Sequence, residues 1–369
     1  EAPIMPKHIF AKGDPLRNPA NLAPVGTGPF RFVAYSAGSE IRYAANDRYF
    51  RGSPAIREIV LRVIPRGDIQ VLALENGEVD WLFGVPGPER ERVRRDKRFR
   101  FLQTRGVSGS SNCVTTLGFN LDKPLFSDVR FRRAIAHAVD RRQFLERVLF
   151  GEGRVADAPI SSGISFGHAR GLPVPGVDTA ESARLLESLG WRRTTSGMRV
   201  ARGVRGIPDG SPLQFRFTAM PGQAAYGDLL RAQLRAIGVE LRLVLLEPAV
   251  FAQTVFTSRD FDTGIVAYCN GTDPEIGVRR QYVSASIAPV PFSNLAAYSN
   301  KVMDSLFDAA GSSLDKSVRA RLYRQIQEIA VRDQPYIWIV ETEATRAHLT
   351  RCRGFTTASH FAATATCTH

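Results

Sequence analysis

The spacing of hydrophobic residues in the first third of the chain predicts short strands joined by tight turns. Strand-like runs occupy residues 30–35 and 40–45, and the glycine-containing segment at 36–39 between them predicts a β-hairpin. A further strand is predicted at 56–64, and a short helix at 68–76. We therefore expect this part of the chain to mix strands with helices.

From residue 127 onwards, hydrophobic residues recur at helical spacing, and buried strands are predicted between the helical segments. Helices are predicted at 129–139, 179–189, 226–237, 301–310 and 316–332, and strands at 239–246, 261–268 and 335–341. Such alternation of helices and strands predicts an α/β lobe.

The length and composition fit a globular protein of two domains. A single compact core would be unusual for 369 residues, of which 44% are apolar and 23% charged. Apolar runs stay well short of the roughly 20 residues that a membrane-spanning helix needs. The first residue is Glu1, so we expect a processed, trimmed or cloned chain from which any export signal is already absent.

The net charge of +13 comes almost entirely from arginine, since only six of the 49 basic residues are lysines. A surface for nucleic acid or anionic lipid is one interpretation. The densest basic run, at residues 89–98, is interleaved with acidic residues, which is typical of a solvated helix face. We therefore expect no nucleic-acid partner.

The four cysteines are Cys113, Cys269, Cys352 and Cys367, and no two of them form a C-x-x-C pair. An oxidising compartment could join Cys352 to Cys367, and closing a loop of about 15 residues would add roughly 3 kcal/mol in the chain-entropy model. The alternative is four free thiols.

No catalytic constellation stands out in the sequence. The six histidines lack metal-ligand spacing, and no G-x-S-x-G, Walker A or dinucleotide-binding motif occurs. The chain is therefore predicted to have no enzyme activity, cofactor or metal site.

Seven segments resemble, in order, the family 5 extracellular solute-binding proteins, the dipeptide, oligopeptide and nickel receptors of ABC importers. They are residues 24–30 (PVGTGPF), 75–81 (ENGEVDW), 126–141 (FSDVRFRRAIAHAVDR), 177–191 (VDTAESARLLESLGW), 229–239 (LLRAQLRAIGV), 272–283 (TDPEIGVRRQYV) and 334–340 (QPYIWIV). Together they cover nearly the whole chain.

This resemblance implies an α/β fold of two lobes, the type II periplasmic-binding-protein fold in its peptide-receptor-like form. Residues 1–115, with 341–369 returning to them, would form part of lobe I, and 116–340 would form lobe II. The N-terminal part of lobe I that family members have would be missing, either cleaved or supplied by a separate chain.

A glycine loop after the predicted strand 261–268 is the richest candidate for ligand binding, because it presents backbone groups and short polar side chains. In the family the matching loop lines the ligand cavity. The candidate ligand-binding residues are Tyr268, Cys269, Asn270, Gly271, Thr272, Arg279, Arg280 and Trp81. Alternatively the loop is a tight turn in which Asp273 caps the next helix, and both roles are compatible.

The resemblance implies a periplasmic receptor that captures a small organic or peptide-like solute by lobe closure and delivers it to ABC permease subunits. Two alternatives are the solute-sensing domain of a DNA-binding transcription regulator and a chaperone or peptide scavenger with broad, weak affinity.

The ligand is not expected to be a free dipeptide. Family dipeptide receptors bind the amino terminus with an aspartate and the carboxylate with an arginine. The matching positions here are Asn270 and either Ala224 or Ala225. A buried charged end without its partner costs several kcal/mol. A neutral or anionic solute, hydrogen-bonded by Asn270 and paired with Arg279 or Arg280, is the expectation.

Overall fold

The computed structural model describes residues 5–14, 17–103, 112–343, 345–354 and 365–367. The chain divides into two compact units, residues 1–104 with 344–369, and residues 105–343. The predicted boundary at residue 115 lies inside a strand that hydrogen-bonds on both sides within the second unit. The predicted boundary at residue 340 likewise falls one residue before the end of a strand of that unit.

Sixteen strands are formed by the described residues. They are β1 (Phe30–Ser36), β2 (Glu40–Ala45), β3 (Glu58–Arg62), β4 (Trp81–Leu82), β5 (Phe99–Gln103), β6 (Cys113–Phe119), β7 (Arg154–Val155), β8 (Trp191–Arg193), β9 (Arg199–Ala201), β10 (Gln214–Ala219), β11 (Glu240–Leu245), β12 (Thr263–Cys269), β13 (Tyr336–Glu341), β14 (Thr345–Leu349), β15 (Cys352–Arg353) and β16 (Thr366–Cys367).

Thirteen α-helices accompany these strands in the described part of the chain. They are α1 (Lys7–Phe10), α2 (Gly67–Glu75), α3 (Arg90–Arg95), α4 (Pro124–Ser127), α5 (Val129–Ala138), α6 (Arg141–Gln143), α7 (Thr179–Ser188), α8 (Ala224–Ala236), α9 (Pro248–Ala252), α10 (Pro274–Gly277), α11 (Arg279–Tyr282), α12 (Lys301–Ser312) and α13 (Lys316–Asp333). Short 3₁₀ or π turns lie at Pro19–Leu22, Gly87–Glu89, Phe144–Val148, Pro221–Gln223, Gln253–Thr257 and Ser284–Ser286.

Side-chain caps explain where several helices of the second unit begin. Asp128, Asp178 and Asp315 each accept a hydrogen bond from a backbone N–H in the first turn of α5, α7 and α13. Asp140 caps α6 in the same way, accepting from the amides of Arg142 and Gln143, while its own N–H donates to Gln233 Oε1. No helix among the described residues is long and apolar enough to cross a membrane.

The first unit contains two small three-stranded sheets. Strands β1, β2 and β3 form an antiparallel meander, and β14 pairs with both β4 and β5. A small core around Val71, Leu74 and Val93 lies against the second of these sheets. The disulfide Cys352–Cys367 joins directly paired residues of β15 and β16.

The second unit is built on a six-stranded mixed sheet in the order β11-β10-β12-β6-β13-β7. The parallel pairs are β10–β11 and β10–β12, whereas β12–β6, β6–β13 and β13–β7 are antiparallel. Side chains therefore alternate between two faces of the sheet. One, here called the apolar face, carries Leu117, Phe119, Ile265 and Ile337, packed with residues of α5 and α8.

The opposite face of this sheet is here called the tyrosine face. It carries Val266, Tyr268, Tyr336 and Trp338, which pack with residues of α12 and α13. Gly118 lies between the rings and side chains of this face, where a Cβ would overlap Leu295. Ile164 and Phe166, from a loop that follows β7, pack on this side as well.

Acidic partners neutralise the arginine-rich run at 89–98. Arg92 pairs with Glu89 and Glu75, and Arg94 pairs with Glu91. This agrees with the interpretation of the run as a solvated helix face.

Candidate functional site

The loop after β12 is held by its own backbone and by short polar side chains. Gly271 has φ +65°, a conformation that favours glycine. Asp273 accepts a hydrogen bond from the Glu275 amide and so caps α10, as the alternative interpretation predicted. A Cβ on Gly277 would overlap the backbone of Asn270, so α10 can pack closely on the loop only with glycine there.

Asn270 serves as an internal brace between this loop and a second one. Its Oδ1 accepts from the Ser161 amide at 2.9 Å, its Nδ2 donates to the Tyr268 carbonyl at 3.4 Å, and the residue is fully buried. Asn270 was predicted to hydrogen-bond the ligand, but in this structure its polar atoms face protein partners. Asn270 instead fixes the position of the loop that begins at Ile160.

That second loop, residues 160–169, is tied to α13 by a buried glutamine. Gln327 Nε2 donates to the carbonyls of Gly167 and Tyr323, at 2.8 and 2.9 Å. Its Oε1 accepts from the amides of Ile160 and Ala169, each at 3.4 Å. All four hydrogen bonds are buried and reach backbone atoms, so the loop has few alternative conformations.

The two loops and the start of α13 line an open cavity of about 360 Å³. Its lining comprises Asn112, Gly163, Ile164, Ser165, Phe166, Thr272, Asp273, Lys316 and Arg319. The lining therefore offers hydroxyl groups, an amide, an aromatic ring and charges, in a volume suited to a small molecule.

An ion pair occupies one side of the cavity. Arg319 donates to both carboxylate oxygens of Asp273, at 2.8 and 2.5 Å, and also to the Ala310 carbonyl and Tyr323 Oη. Although partial burial opposes it, hydrogen bonding from Arg319 and from the Glu275 amide lowers the pKa of Asp273. The bidentate pair is thus charged at neutral pH, and the donors of Arg319 are occupied.

Lys316 provides the other positive charge at the cavity. It is the first residue of α13, is exposed, and makes no ion pair within the described part of the chain. Its ammonium group can therefore meet an anionic group of a ligand without first breaking a salt bridge.

Asn112 connects the glycine loop to the start of β6. Its Nδ2 donates to the Gly271 carbonyl at 2.6 Å, and its own carbonyl accepts from the Asn270 amide at 3.2 Å. The disulfide Cys113–Cys269 joins directly opposed residues of β6 and β12 just beside these contacts. The sequence analysis did not foresee this disulfide.

The remaining predicted site residues lie away from the cavity lining. Tyr268 is fully buried and donates to the Ser293 carbonyl at 2.7 Å, while Cys269 is consumed in the disulfide. Arg279 pairs with Glu275 and Asp308, and Arg280 donates to the Gly277 carbonyl at 3.3 Å. In this conformation all four side chains are thus engaged by protein partners.

Trp81 belongs to the first unit, where its ring stacks on Phe83 at a centroid distance of 5.2 Å. Of the residues predicted for the ligand, Thr272 alone lines the described cavity, and Gly271 shapes the loop beside it. Residues 163–166, Lys316 and Arg319 were missed. Glycine and serine at 161–165 were a usable signal, since such loops present backbone and hydroxyl groups.

The chain resembles known proteins in both sequence and structure. Residues 2–288 match the family described as bacterial extracellular solute-binding proteins, family 5 middle. Protein XP55 of Streptomyces lividans is 28% identical over 96% of this chain and 62% of that protein. The oligopeptide-binding protein AppA of Bacillus subtilis (strain 168) is 28% identical over 91% of this chain and 61% of that protein. The chain thus spans about three fifths of the length of these relatives.

Solved structures agree in fold. AppA from Bacillus subtilis in complex with a nonapeptide has a TM-score of 0.86 at 23% identity, covering 99% of this chain and 72% of its own. NikZ from Campylobacter jejuni in complex with Ni(L-His) has a TM-score of 0.83 at 21% identity, covering 97% and 70%. These likenesses confirm the predicted α/β fold of the two-lobed, peptide-receptor-like kind.

The family consists of solute-binding transport proteins and not of enzymes, which confirms the prediction about enzyme activity. The transcription-regulator alternative finds no support among these likenesses. With a family match over most of its length, the chain belongs to family 5 of the bacterial extracellular solute-binding proteins.

Proposed function

We propose that the protein is the periplasmic receptor of an ABC importer and that it holds a small organic solute in the cavity between the glycine loop and residues 163–166. The supporting observation is that the loop implied by family resemblance contributes Thr272 and Asp273 to a cavity of suitable size. The receptor would deliver its solute to ABC permease subunits, with transport driven by a separate ATPase. Its work would be selection and release, without covalent chemistry.

The charges around the cavity favour a neutral or anionic solute over a zwitterionic dipeptide. Asp273, the acidic residue of the lining, is already neutralised by Arg319, so it offers little to an ammonium group. Asn270 and the Ala224–Ala225 pair carry no charge at the positions where dipeptide receptors have an aspartate and an arginine. Lys316 replaces Arg279 and Arg280 as the proposed partner of an anionic group, because both arginines have protein partners.

A thermal-shift screen of the whole natural protein tests this proposal. The panel contains free dipeptides, longer peptides, sugars, and aromatic and aliphatic acids. A solute that binds the folded protein raises its melting temperature. We expect a response to a neutral or anionic organic solute and none to free dipeptides. Tight binding of free dipeptides would overturn the proposed specificity.

Two lysine variants locate an anionic ligand. Lys316→Met removes the charge at the cavity, and Lys301→Met removes a charge at the equivalent first position of α12, outside the cavity lining. Loss of one charge-assisted contact should weaken the anion by about tenfold to hundredfold in Lys316→Met. Equal affinities of the two variants for the anion would exclude Lys316 as its partner.

A further inference from the structure

Three potential metal ligands from distant parts of the second unit meet at the end of β13. Oxygen atoms of Asp157 and Glu341 and a ring nitrogen of His168 all lie within 4.8 Å of one another. The His168 and Glu341 side chains are almost fully buried, whereas Asp157 is exposed. Sequence spacing concealed this group because the buried carboxylate comes from a strand far along the chain.

A hydrogen bond fixes which nitrogen of His168 faces the two carboxylates. Its Nδ1 lies 2.8 Å from the Ile160 carbonyl oxygen, which can only accept a hydrogen bond, so Nδ1 carries the proton. Nε2 then points towards Asp157, with Oδ1 at 3.5 Å. Metal-binding histidines are oriented in this way, with one nitrogen donating to a carbonyl and the other free to bind.

The separation of the ligand atoms suits a bridging ion better than a direct hydrogen bond. The 3.5 Å between Nε2 and Oδ1 exceeds the usual N–H···O distance of about 2.7–3.2 Å. Two ligands each about 2.1 Å from one tetrahedral Zn²⁺ would lie about 3.4 Å apart. The exposed Asp157 side chain can rotate to adjust its distances to the other two ligands.

Two neighbouring serines hold Glu341 in place, and its carboxylate can still accept a further contact. Ser162 donates through its amide to Oε1 at 3.0 Å and through its hydroxyl to Oε2 at 2.6 Å, and Ser161 Oγ donates to Oε2 at 3.2 Å. An ionised carboxylate can accept about four such contacts. Glu341 is therefore oriented by its neighbours, as the carboxylate ligands of protein metal sites are.

Two arginines lie near the group, and their charge narrows the choice of ion. Arg141 donates to the carbonyls of Ala156 and Pro175, and Arg154 donates to Ser162 Oγ. In the described structure neither pairs with Asp157 or Glu341, so no arginine–carboxylate ion pair has to break for a metal ion to bind. Their positive charge nevertheless disfavours ions held mainly by electrostatic attraction, such as Mg²⁺ or Ca²⁺.

We propose that Asp157, His168 and Glu341 bind a divalent first-row transition metal of the Zn²⁺ class. An imidazole with two carboxylates is a donor set that such ions accept. The ion would clamp the loop containing Asp157 and His168 to the end of β13. This proposal does not rest on the proposed solute-binding function.

Calorimetric titration of the chelator-treated whole natural protein with ZnCl₂ tests the site. We expect one Zn²⁺ per chain, a melting temperature that rises with Zn²⁺ concentration, and no comparable response to MgCl₂. Absence of Zn²⁺ binding at millimolar concentration would overturn the proposal.

Variants then assign the ligands. His168→Ala and Asp157→Asn should each weaken Zn²⁺ binding by about 100-fold or more. His137→Ala is the matched control, because His137 Nδ1 also lies 2.9 Å from a carbonyl but belongs to no three-ligand group in the described chain. Asp157 is exposed, so Asp157→Asn remains informative if His168→Ala does not fold. Unchanged Zn²⁺ affinity in Asp157→Asn, or equal losses in Asp157→Asn and His137→Ala, would refute this ligand set.

Discussion

The two faces of the six-stranded sheet bury different kinds of side chain. The apolar face packs aliphatic and phenylalanine side chains, with Phe126 and Phe131 both against Phe215. The tyrosine face buries large rings that carry polar atoms, and each needs a hydrogen-bond partner to offset its desolvation. The candidate site lies on the tyrosine side.

Those partners come from α11 and from the loop that follows it. Tyr336 Oη donates to the Gln281 carbonyl at 3.0 Å, and Trp338 Nε1 donates to Tyr282 Oη at 2.9 Å. Tyr268 reaches the carbonyl of Ser293 in the same way. Burial raises the pKa of all three tyrosines, Tyr268, Tyr282 and Tyr336, so they remain protonated donors. The apolar face therefore stabilises the sheet by apolar packing, whereas hydrogen bonds on the tyrosine face also fix the positions of the neighbouring segments.

Removing the disulfide beside the site should have the largest effect on stability. Cys113 and Cys269 are 156 residues apart, so the chain-entropy model gives up to about 5 kcal/mol for their bond. The double variant Cys113→Ala/Cys269→Ala should therefore lose more free energy of unfolding than Cys352→Ala/Cys367→Ala, for which about 3 kcal/mol is expected. Urea denaturation measures both.

Thiol titration gives the matching control. All four cysteines are paired in disulfides, whereas at most one disulfide was predicted from the sequence. Unfolded but unreduced natural protein should contain no free thiol. Two free thiols would show that the Cys113–Cys269 disulfide does not form.

Truncation on the apolar face should be the next largest change. Phe131 is 1% exposed and contacts two other phenylalanine rings, so Phe131→Ala should cost about 4 kcal/mol in urea denaturation. Val302→Ala, at a position that is 60% exposed, serves as control and should cost little. Folded Phe131→Ala should bind the solute about as tightly as the natural protein. A large loss of solute affinity would contradict the difference described between the two faces.

Loss of the internal brace should cost less but should act on the site. Asn270→Ala leaves the buried Ser161 amide without its acceptor, which should destabilise folding by about 1–3 kcal/mol. Hydrogen exchange at Ser161 should accelerate, and solute affinity should fall. Unchanged exchange at Ser161 would show that Asn270 does not hold this loop.

Loss of the Asp273–Arg319 ion pair at the cavity should have the smallest effect on stability, and this effect depends on pH. The pKa of Asp273 is lowered in the folded protein, so its contribution is present above the ordinary aspartate pKa and is lost as pH falls through the folded value. Below about pH 4 the natural protein should lose about 1–2 kcal/mol more than Asp273→Asn. Parallel stability curves for the two proteins would contradict this role.

Local sequence signals predicted most of the second unit's elements. Hydrophobic spacing located α5, α7 and α13 to within about one residue, and the apolar run at 335–341 located β13. The helix that Asp273 was predicted to cap forms as two short pieces, α10 and α11, each only four residues long. Helices of that length carry too few hydrophobic positions for their period to be seen.

The site itself was less predictable because long-range contacts build it. The glycine loop was identified from its composition and resemblance, but Asn270 was assigned to the ligand since nothing local indicates that the Ser161 amide faces it. Lys316 and Arg319 reach the cavity only through the packing of α13. Sequence reasoning therefore located the loop and not its partners.

Hydrogen–deuterium exchange of the whole natural protein, with and without the solute found by thermal shift, tests the central claim most directly. Bound solute should slow exchange in residues 163–166 and 271–273, while α5 beneath the apolar face should change little. Protection confined to other parts of the chain, with these two loops unaffected, would contradict the assignment of the cavity as the solute site.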